Sequence, residues 1–301
     1  MPRTILITGA TGQQGGAPVR ALAESTRLSE GLSISILGLT RDASSEKANA
    51  LLSIPGVQVV QGDLSDKSSI DKIFEVHAID SVFSVQDIFQ GNEVEQGTTL
   101  VDVAVKHGVK HSVYTSVDMS GLSPSPVPHF ETKRQIEEHL KSRSSQSQMV
   151  FTIIRPSAFF GDFYWPPYRL SIGTKWNPNR LFKHIAESDI GRAAAEILIA
   201  GSQEESFRNR IINLTGDAHT PDEIRKIFKE VKNVSWEDPE QDVVIETQFA
   251  NALNTINVHP FEGTPEETRK LFPWVKDLPI WLDTEFNAGM IVGQLGRSRS
   301  H

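Results

Sequence analysis

Short runs of apolar, β-branched residues alternate with longer amphipathic stretches along the first 156 residues of the chain. Such runs are typical of buried strands, whereas apolar residues spaced by three and four positions are typical of helices. The pattern predicts six strands, at residues 4–8, 32–41, 57–64, 78–85, 110–117 and 150–156. It also predicts helices between them, including 16–26, 44–53, a helix capped by Ser65 or Asp66, one ending at Gly108, and 129–142. Strands that alternate with helices in this way favour parallel β–α–β units.

The second half of the chain is less regular. It predicts a strand at 211–214, a helix at 188–201, a helix opened by Thr220 with Pro221 in its first turn, and a short helix within 263–273. We therefore expect an α/β protein with a doubly wound parallel sheet of the Rossmann type in residues 1–156. Residues 157–301 are expected to form a smaller α+β cap that is interleaved with this core.

Composition and charge exclude several classes of function. The chain has no cysteine, which excludes disulfides, thiolate catalysis and cysteine–zinc sites. Its net charge of −8 and its short basic runs, KHGVKH at 106–111 and GRSRSH at 296–301, argue against a nucleic-acid partner. His107 and His111 are separated by Gly108 at a helix end, so no metal site is predicted. No run is apolar enough for a membrane span and the start does not resemble a secretion signal, so we expect a cytoplasmic protein.

The segment TILITGATGQQGG (4–16) contains the strongest candidate for chemistry. Gly9, Gly12 and Gly15 follow the first strand directly and precede the first helix. In a β–α–β unit the first such glycine permits a tight turn, the second lets the backbone approach a pyrophosphate, and the third lets the helix pack on the strand. Three glycines alone are a weak signal, but their position at the first turn of a six-strand pattern predicts a dinucleotide site.

The end of the second strand bears on which dinucleotide binds. An acid there usually bonds the ribose 2′-hydroxyl of NAD, whereas an arginine suits the 2′-phosphate of NADP. Arg41 is followed at once by Asp42, so NADP(H) is favoured and NAD(H) stays possible. Asp63, at the exit of the third strand, is either an acceptor for the adenine amino group or an ordinary turn aspartate.

Several segments together resemble the NmrA-like family, an atypical branch of the short-chain dehydrogenases that includes redox-sensing regulators and is akin to isoflavone-reductase-like enzymes. They are GATGQQGG, TRD with ANAL after it, QGDL, VFSV, EQGTTLVDVAVKHGVKHSVYTS, HFETKRQIEEHL, TIIRPSAFF and SDIGRAAAEIL. These segments occur in the family's order and near its spacing, over roughly residues 3 to 215.

The resemblance implies a cofactor-binding role for specific residues. The pyrophosphate would be held by Gly9, Thr11, Gly12, Gln13, Gln14 and Gly15, the adenosine phosphate by Arg41, and the adenine by Asp63 and Leu64. Ser84, Val85 and Gln86 would line the nicotinamide-side groove, Lys133 would reach the nicotinamide ribose, and the loop with Ser157, Phe159 and Phe160 would close over the nicotinamide.

The catalytic motif departs from that of a typical short-chain dehydrogenase, which has a serine and a Tyr-x-x-x-Lys motif. Here Ser116 stands where the serine would, and HFETK keeps Lys133 but places His129 at the tyrosine position. Three alternatives remain: the cofactor is bound without turnover, Lys133 is the acid–base group, or His129 donates the proton. The His-x-x-x-Lys pattern resembles that of the regulators, which favours the first alternative.

Two functions follow from these residues. The first is an NADPH-dependent reductase of a carbonyl or conjugated double bond in an aromatic or polyketide-like metabolite. The aromatic-rich segment 159–170, predicted to wall a substrate pocket, favours it. The second is a redox-sensing regulator that binds a protein partner according to NADP(H) state, which the missing tyrosine favours. Neither the substrate nor the oligomeric state is predicted.

Overall fold

The computed structural model describes residues 2–29, 31–235 and 247–287. The chain divides into two compact units. The first runs up to Val117 and includes His129–Arg155 and Ile190–Ile212. The second contains Asp118–Pro128, Pro156–Asp189 and the chain from Asn213 onward. The basic run at 296–301 lies outside the described residues.

The strands in the described part of the chain are β1 (Arg3–Ile7), β2 (Ile34–Thr40), β3 (Val57–Gln61), β4 (Ser81–Ser84), β5 (His111–Thr115), β6 (Val150–Pro156), β7 (Ala158–Phe159), β8 (Phe182–Ile185), β9 (Arg210–Leu214) and β10 (Asp217–His219). All six strands predicted for the first half are present. The strand at 150–156 has the predicted bounds, the first strand begins and ends one residue earlier, and the other four are shorter by three or four residues. Seven strands form one sheet in the order β3-β2-β1-β4-β5-β6-β9. The neighbouring pairs from β3 to β6 are parallel. This confirms the predicted Rossmann-type α/β fold.

The helices are α1 (Gln13–Leu28), α2 (Glu46–Leu52), α3 (Lys67–Val76), α4 (Glu93–Lys106), α5 (Pro128–Ser145), α6 (Pro166–Thr174), α7 (Glu187–Ala200), α8 (Pro221–Lys232), α9 (Thr247–Val258), α10 (Pro265–Leu271) and α11 (Leu278–Thr284). Asp66 caps α3 and Thr220 caps α8, each with its side chain. Helix α1 begins three residues before the predicted start at Gly16. Gly15 and Gly16 are packed helix residues, and the turn ends at Gly12.

The order of strands determines where loops can form a crevice. Strands β1 and β4 are neighbours, while β2 follows β1 on its other side. The connections that leave β1 and β4 therefore diverge at this point. In open α/β sheets, ligands bind in the crevice at the carboxyl ends of such strands. The hydrophobic core of the first unit includes strand residues that are fully buried, among them Leu6 of β1, Val82 of β4 and Ile153 of β6.

The second unit has a three-stranded sheet in the order β10-β8-β7 and an aromatic core. This core includes Phe160, Phe163, Tyr168, Trp176 and Trp281. The prediction that segment 159–170 walls a pocket is therefore not supported for Phe160, Phe163 and Tyr168, whereas Tyr164 and Trp165 are only half-buried against this core. Phe160 and Phe163 are 1% and 0% exposed, because they stack with Trp281 and His184 inside the unit.

In the described ranges, no helix combines the length and apolar character that crossing a membrane requires.

Candidate functional site

The glycine turn is the best-defined part of the candidate site. Gly9 has a φ of +58°, a conformation that favours glycine, and its carbonyl accepts a hydrogen bond from the Gly12 N–H at 2.9 Å. A Cβ on Gly15 would lie 2.2 Å from the Gly9 oxygen, so the start of α1 packs directly on the turn. Gly12 is the N-cap of α1, and no side chain caps the helix there. The first N–H groups of the helix are therefore directed out of its N-terminus, as in anion-binding turns.

Two threonines hold this turn in place. The Thr8 hydroxyl donates to the Val85 carbonyl and accepts from the Val85 N–H, both at 2.8 Å, which joins the ends of β1 and β4. The Thr115 hydroxyl, at the end of β5, donates to the side-chain oxygen of Gln14 at 2.8 Å. The glycine turn is thus connected to β4 through Thr8 and to β5, the next strand beyond it, through Gln14. Thr11 is half-buried, and Gly12 and Gln13 are exposed.

Arg41 and Asp42 are in different environments at the end of β2. The Arg41 side chain is 63% exposed and its guanidinium lies 3.6 Å from Asp87. Asp42 Oδ1 accepts from the hydroxyl and the N–H of Ser44, at 2.6 and 2.8 Å, and these bonds lower the pKa of the Asp42 carboxyl. The Arg41 guanidinium is therefore accessible to a bound anion, whereas the Asp42 oxygen that could accept from a ribose hydroxyl is already bonded to Ser44.

The end of β3 lies at the same edge of the sheet. Asp63 is half-buried; its Oδ1 accepts from the Ser65 N–H at 2.9 Å, and its own N–H donates to the Ser69 hydroxyl at 3.1 Å. These bonds organise the turn before α3, which agrees with the alternative of an ordinary turn aspartate. Leu64 is also half-buried. An additional role of Asp63 towards adenine stays a prediction.

The end of β4 carries buried polar side chains. Gln86 is 7% exposed, and its side-chain nitrogen donates to the Ser84 hydroxyl at 2.8 Å. Within the described residues, the side-chain oxygen of Gln86 has no hydrogen-bond partner. A buried acceptor without a partner is costly unless a bound molecule or water satisfies it. Gln86 is therefore suited to receive a donor from a ligand.

Lys133 is held by a residue that the sequence analysis did not identify. Its ammonium donates to Glu93 Oε1 at 2.6 Å, and the two side chains are 9% and 4% exposed. Glu93 is the first residue of α4, which follows the loop after β4. The sequence signal that could have identified Glu93 was an acidic residue at the start of this helix, at the same edge of the sheet as Lys133. A carboxylate in a first helical turn is usually a surface residue, so its burial was not predicted.

The two other catalytic candidates are partly enclosed. Burial, and after it the charge of Lys133, lowers the pKa of His129 to about 4, while Glu93 acts in the opposite direction. His129 is therefore neutral near pH 7. Ser116 is 3% exposed, and its hydroxyl lacks a hydrogen-bond partner in the described part of the chain.

The predicted closing loop belongs to the second unit. The Ser157 hydroxyl is buried without a partner among the described residues, whereas its N–H donates to the Leu214 carbonyl at 3.0 Å. Phe159 is half-buried and Phe160 is part of the aromatic core. The Phe160 ring therefore stabilises the unit, and the role of this loop towards a nicotinamide stays a prediction.

The sequence is similar to those of several known proteins. The model of the NmrA-like family matches residues 1–258. An NmrA-like family domain-containing protein of Dictyostelium discoideum is 28% identical over 250 residues, which cover 77% of this chain and 78% of that protein. Quinone oxidoreductase 2 of Escherichia coli (strain K12) is 22% identical over 84% of this chain and 82% of its own length.

A solved structure extends the comparison to the fold. The crystal structure of NmrA, a negative transcriptional regulator, in complex with NADP covers 98% of both chains with a TM-score of 0.76 and 21% identity. At this identity the likeness concerns the fold alone. The family match, by contrast, spans residues 1–258, the range in which the glycine turn, Arg41, Glu93 and Lys133 lie. The chain belongs to the NmrA-like family.

Proposed function

We propose that this protein binds NADP(H) in preference to NAD(H) and uses NADPH to reduce a carbonyl or conjugated double bond of a small molecule. The observation that carries the proposal is the glycine turn from Gly9 to Gly15. It lies where the strand order reverses, it opens the N-terminus of α1, and a Cβ at Gly15 would not fit. Such a turn offers backbone N–H groups and the positive end of a helix dipole to a pyrophosphate.

The residues around the turn fit the rest of the cofactor. Arg41 has an exposed guanidinium that can form paired, charge-assisted hydrogen bonds with a 2′-phosphate. Gln86 offers a buried acceptor on the side where the family resemblance places the nicotinamide. Lys133 can donate to the nicotinamide ribose, because its pairing with Glu93 uses only one of its three N–H bonds.

Reduction requires a hydride, which NADPH supplies when bound, and a proton that the protein must deliver. His129 is poorly suited to this task at neutral pH, because its pKa of about 4 leaves the imidazole without an additional proton. Among the three sequence alternatives, this favours Lys133 over His129 as the acid. The similarity to quinone oxidoreductase 2, which extends over most of both chains, supports an enzyme rather than a sensor.

The substrate class is proposed more broadly than the sequence suggested. The aromatic segment 159–170 was the reason to expect an aromatic or polyketide-like metabolite, and three of its rings, Phe160, Phe163 and Tyr168, belong to the core of the second unit. Ketones, enones and quinones therefore belong in one test panel.

The test measures NADPH binding by calorimetry and NADPH oxidation with this panel. Lys133→Met removes the charge but keeps most of the side-chain stem, and we expect it to lower turnover at saturating NADPH by about 10²–10⁴ if Lys133 is the acid. Lys141→Met is the matched control, since Lys141 lies on the same helix in a surface pair with Glu138. Tight NADPH binding without turnover of any compound would instead favour the redox-sensing regulator. Absence of NADPH binding would refute the proposal.

A further inference from the structure

Helices α4 and α5 approach each other closely where Gly97 of α4 faces Ile136 of α5. A Cβ on Gly97 of α4 would lie 2.6, 2.8 and 2.9 Å from three side-chain atoms of Ile136 on α5. Distances this short do not occur between real Cβ atoms and their neighbours, so this approach requires glycine. Gly97 is one turn beyond Glu93, and Ile136 is one turn beyond Lys133, so the close contact brings the first turn of α4 to the second turn of α5.

The Glu93 carboxylate lies in this contact and binds α5 with both oxygens. Oε1 accepts from the Lys133 ammonium at 2.6 Å, and Oε2 accepts from the hydroxyl of Thr132. Glu93 and Lys133 are nearly inaccessible to solvent, so each charge depends on the other for compensation. The N-terminal end of α4 is also a favourable place for a negative charge.

This arrangement restricts the position of a side chain that is otherwise flexible. A lysine has four rotatable bonds, and ordering it on a bound ligand costs conformational entropy. The bond to Glu93 imposes that order before any ligand arrives. Two ammonium N–H bonds then remain for other acceptors.

We propose that Glu93 is the positioning residue for Lys133, holding its ammonium in the orientation that the nicotinamide ribose requires. This inference rests on the proposed function, because it assumes that NADPH is the ligand that Lys133 meets. It assigns Glu93 a role in cofactor affinity and turnover in addition to its packing.

A second buried ion pair on α5 provides a matched control. Glu137 is fully buried and accepts two hydrogen bonds from Arg155, at 2.9 and 2.5 Å. It lies one turn further from the start of the helix than Lys133. Glu137→Gln therefore breaks a buried pair on the same helix without changing the partner of Lys133.

The experiment compares Glu93→Gln, Glu93→Asp, Glu137→Gln, Lys133→Met and the double variant Glu93→Gln/Lys133→Met. For each variant, NADPH affinity is measured by fluorescence titration. The kcat and KM are measured from NADPH oxidation with the best substrate of the panel, and the unfolding temperature is measured by calorimetry. We expect Glu93→Gln to weaken NADPH binding by roughly tenfold or more and to lower kcat at saturating NADPH. Glu93→Asp should restore part of both, and Glu137→Gln should lower only the unfolding temperature. In the double variant, the Glu93 change should have no further effect on NADPH affinity, because its partner is gone.

Three outcomes would overturn the inference. Glu93→Gln with wild-type NADPH affinity and kcat, but a lower unfolding temperature, would show that the pair is purely structural. Equal functional losses in Glu93→Gln and Glu137→Gln would show a general effect of weakening α5. A wild type that does not bind NADPH would refute the proposed function together with this inference. If the wild type binds NADPH but turns over no substrate, the NADPH affinities of the variants still test the role of Glu93.

Discussion

At the scale of single residues, the site depends on which polar groups are already satisfied and which are available. Asp42 is bonded to Ser44, whereas Arg41 extends into solvent beside Asp87. Lys133 is paired with Glu93, whereas the side-chain oxygen of Gln86 lacks a partner in the described ranges. The proposed preference for NADP(H) over NAD(H) rests on the first of these differences.

Arg41→Ala tests that preference. Charge-assisted hydrogen bonds to a 2′-phosphate predict that the wild type binds NADPH roughly ten- to a hundredfold more tightly than NADH. The variant should lose most of this preference and keep its NADH affinity, as measured by calorimetry with both cofactors. Arg27→Ala, an exposed arginine at the end of α1, is the control. Equal affinity of the wild type for both cofactors would contradict the prediction and make Asp42 the candidate ribose partner.

At the scale of elements, turns and helix starts carry most of the chemistry. The turn between β1 and α1 and the N-terminal halves of α4 and α5 supply the candidate residues. In the second unit, α7 begins in a similarly crowded place, where Glu187 accepts a hydrogen bond from the Gly161 N–H at 3.2 Å.

Gly12→Val addresses the first of these turns. A Cβ at Gly12 would lie 3.2 Å from the Gly9 oxygen, and the larger valine side chain would occupy space needed for phosphate to approach the backbone. We expect the affinity for NADPH to fall tenfold or more, equivalent to about 1.4 kcal/mol or above. Calorimetric titration measures the affinity, and circular dichroism confirms that the variant is folded. Unchanged affinity in a folded variant would place the cofactor elsewhere.

The start of α7 makes the stability of the second unit depend on pH. Burial, with a smaller contribution from Asp162, raises the pKa of Glu187 to about 7 from its usual value near 4.5. The folded state therefore keeps a proton that the unfolded state releases between these values. The contribution of Glu187 to stability is fully present below about pH 4.5 and is lost as the pH rises through about 7.

Glu187→Gln should abolish this dependence, because the amide keeps an acceptor oxygen and never ionises. At pH 8 the variant should exceed the wild type in free energy of unfolding by on the order of 1–3 kcal/mol, and the difference should shrink towards pH 5. Urea unfolding at several pH values measures it. Glu196→Gln, on the exposed face of the same helix, should show no such trend. A difference that stays constant with pH would contradict the assignment.

At the scale of the whole molecule, charge limits the choice of partners. The chain has a net charge of −8, so the phosphate backbone of DNA is repelled except where a local basic surface exists. The fold supports a nucleotide site through backbone N–H groups and one arginine, which does not require a basic surface.

The purified protein should accordingly show no binding to duplex DNA at physiological salt. Fluorescence anisotropy with a labelled duplex is the measurement, and we expect no saturation up to tens of micromolar protein, since non-specific binders have Kd values of about 10⁻⁴–10⁻⁶ M. Saturable binding that weakens with salt would reveal a basic surface that the overall charge conceals.

The sequence alone determined the parallel sheet, the glycine turn and the family, because local spacing carries this information. Apolar runs predict strands, and three glycines after the first strand predict a turn that only glycine can form. The candidate site residues that follow successive strands also lie at one edge of the sheet, because the carboxyl ends of parallel strands lie at the same edge. These features require no knowledge of distant contacts.

Only the tertiary structure decided the environment of each side chain. Glu93 and Lys133 are 40 positions apart, and their pairing depends on the close approach of Gly97 and Ile136. The rings of segment 159–170 have the same composition whether they wall a pocket or fill a core, and contacts with residues as distant as Trp281 decide in favour of the core. The low pKa of His129 likewise follows from burial and a neighbouring charge. Burial and pairing arise from long-range packing, which no local pattern specifies.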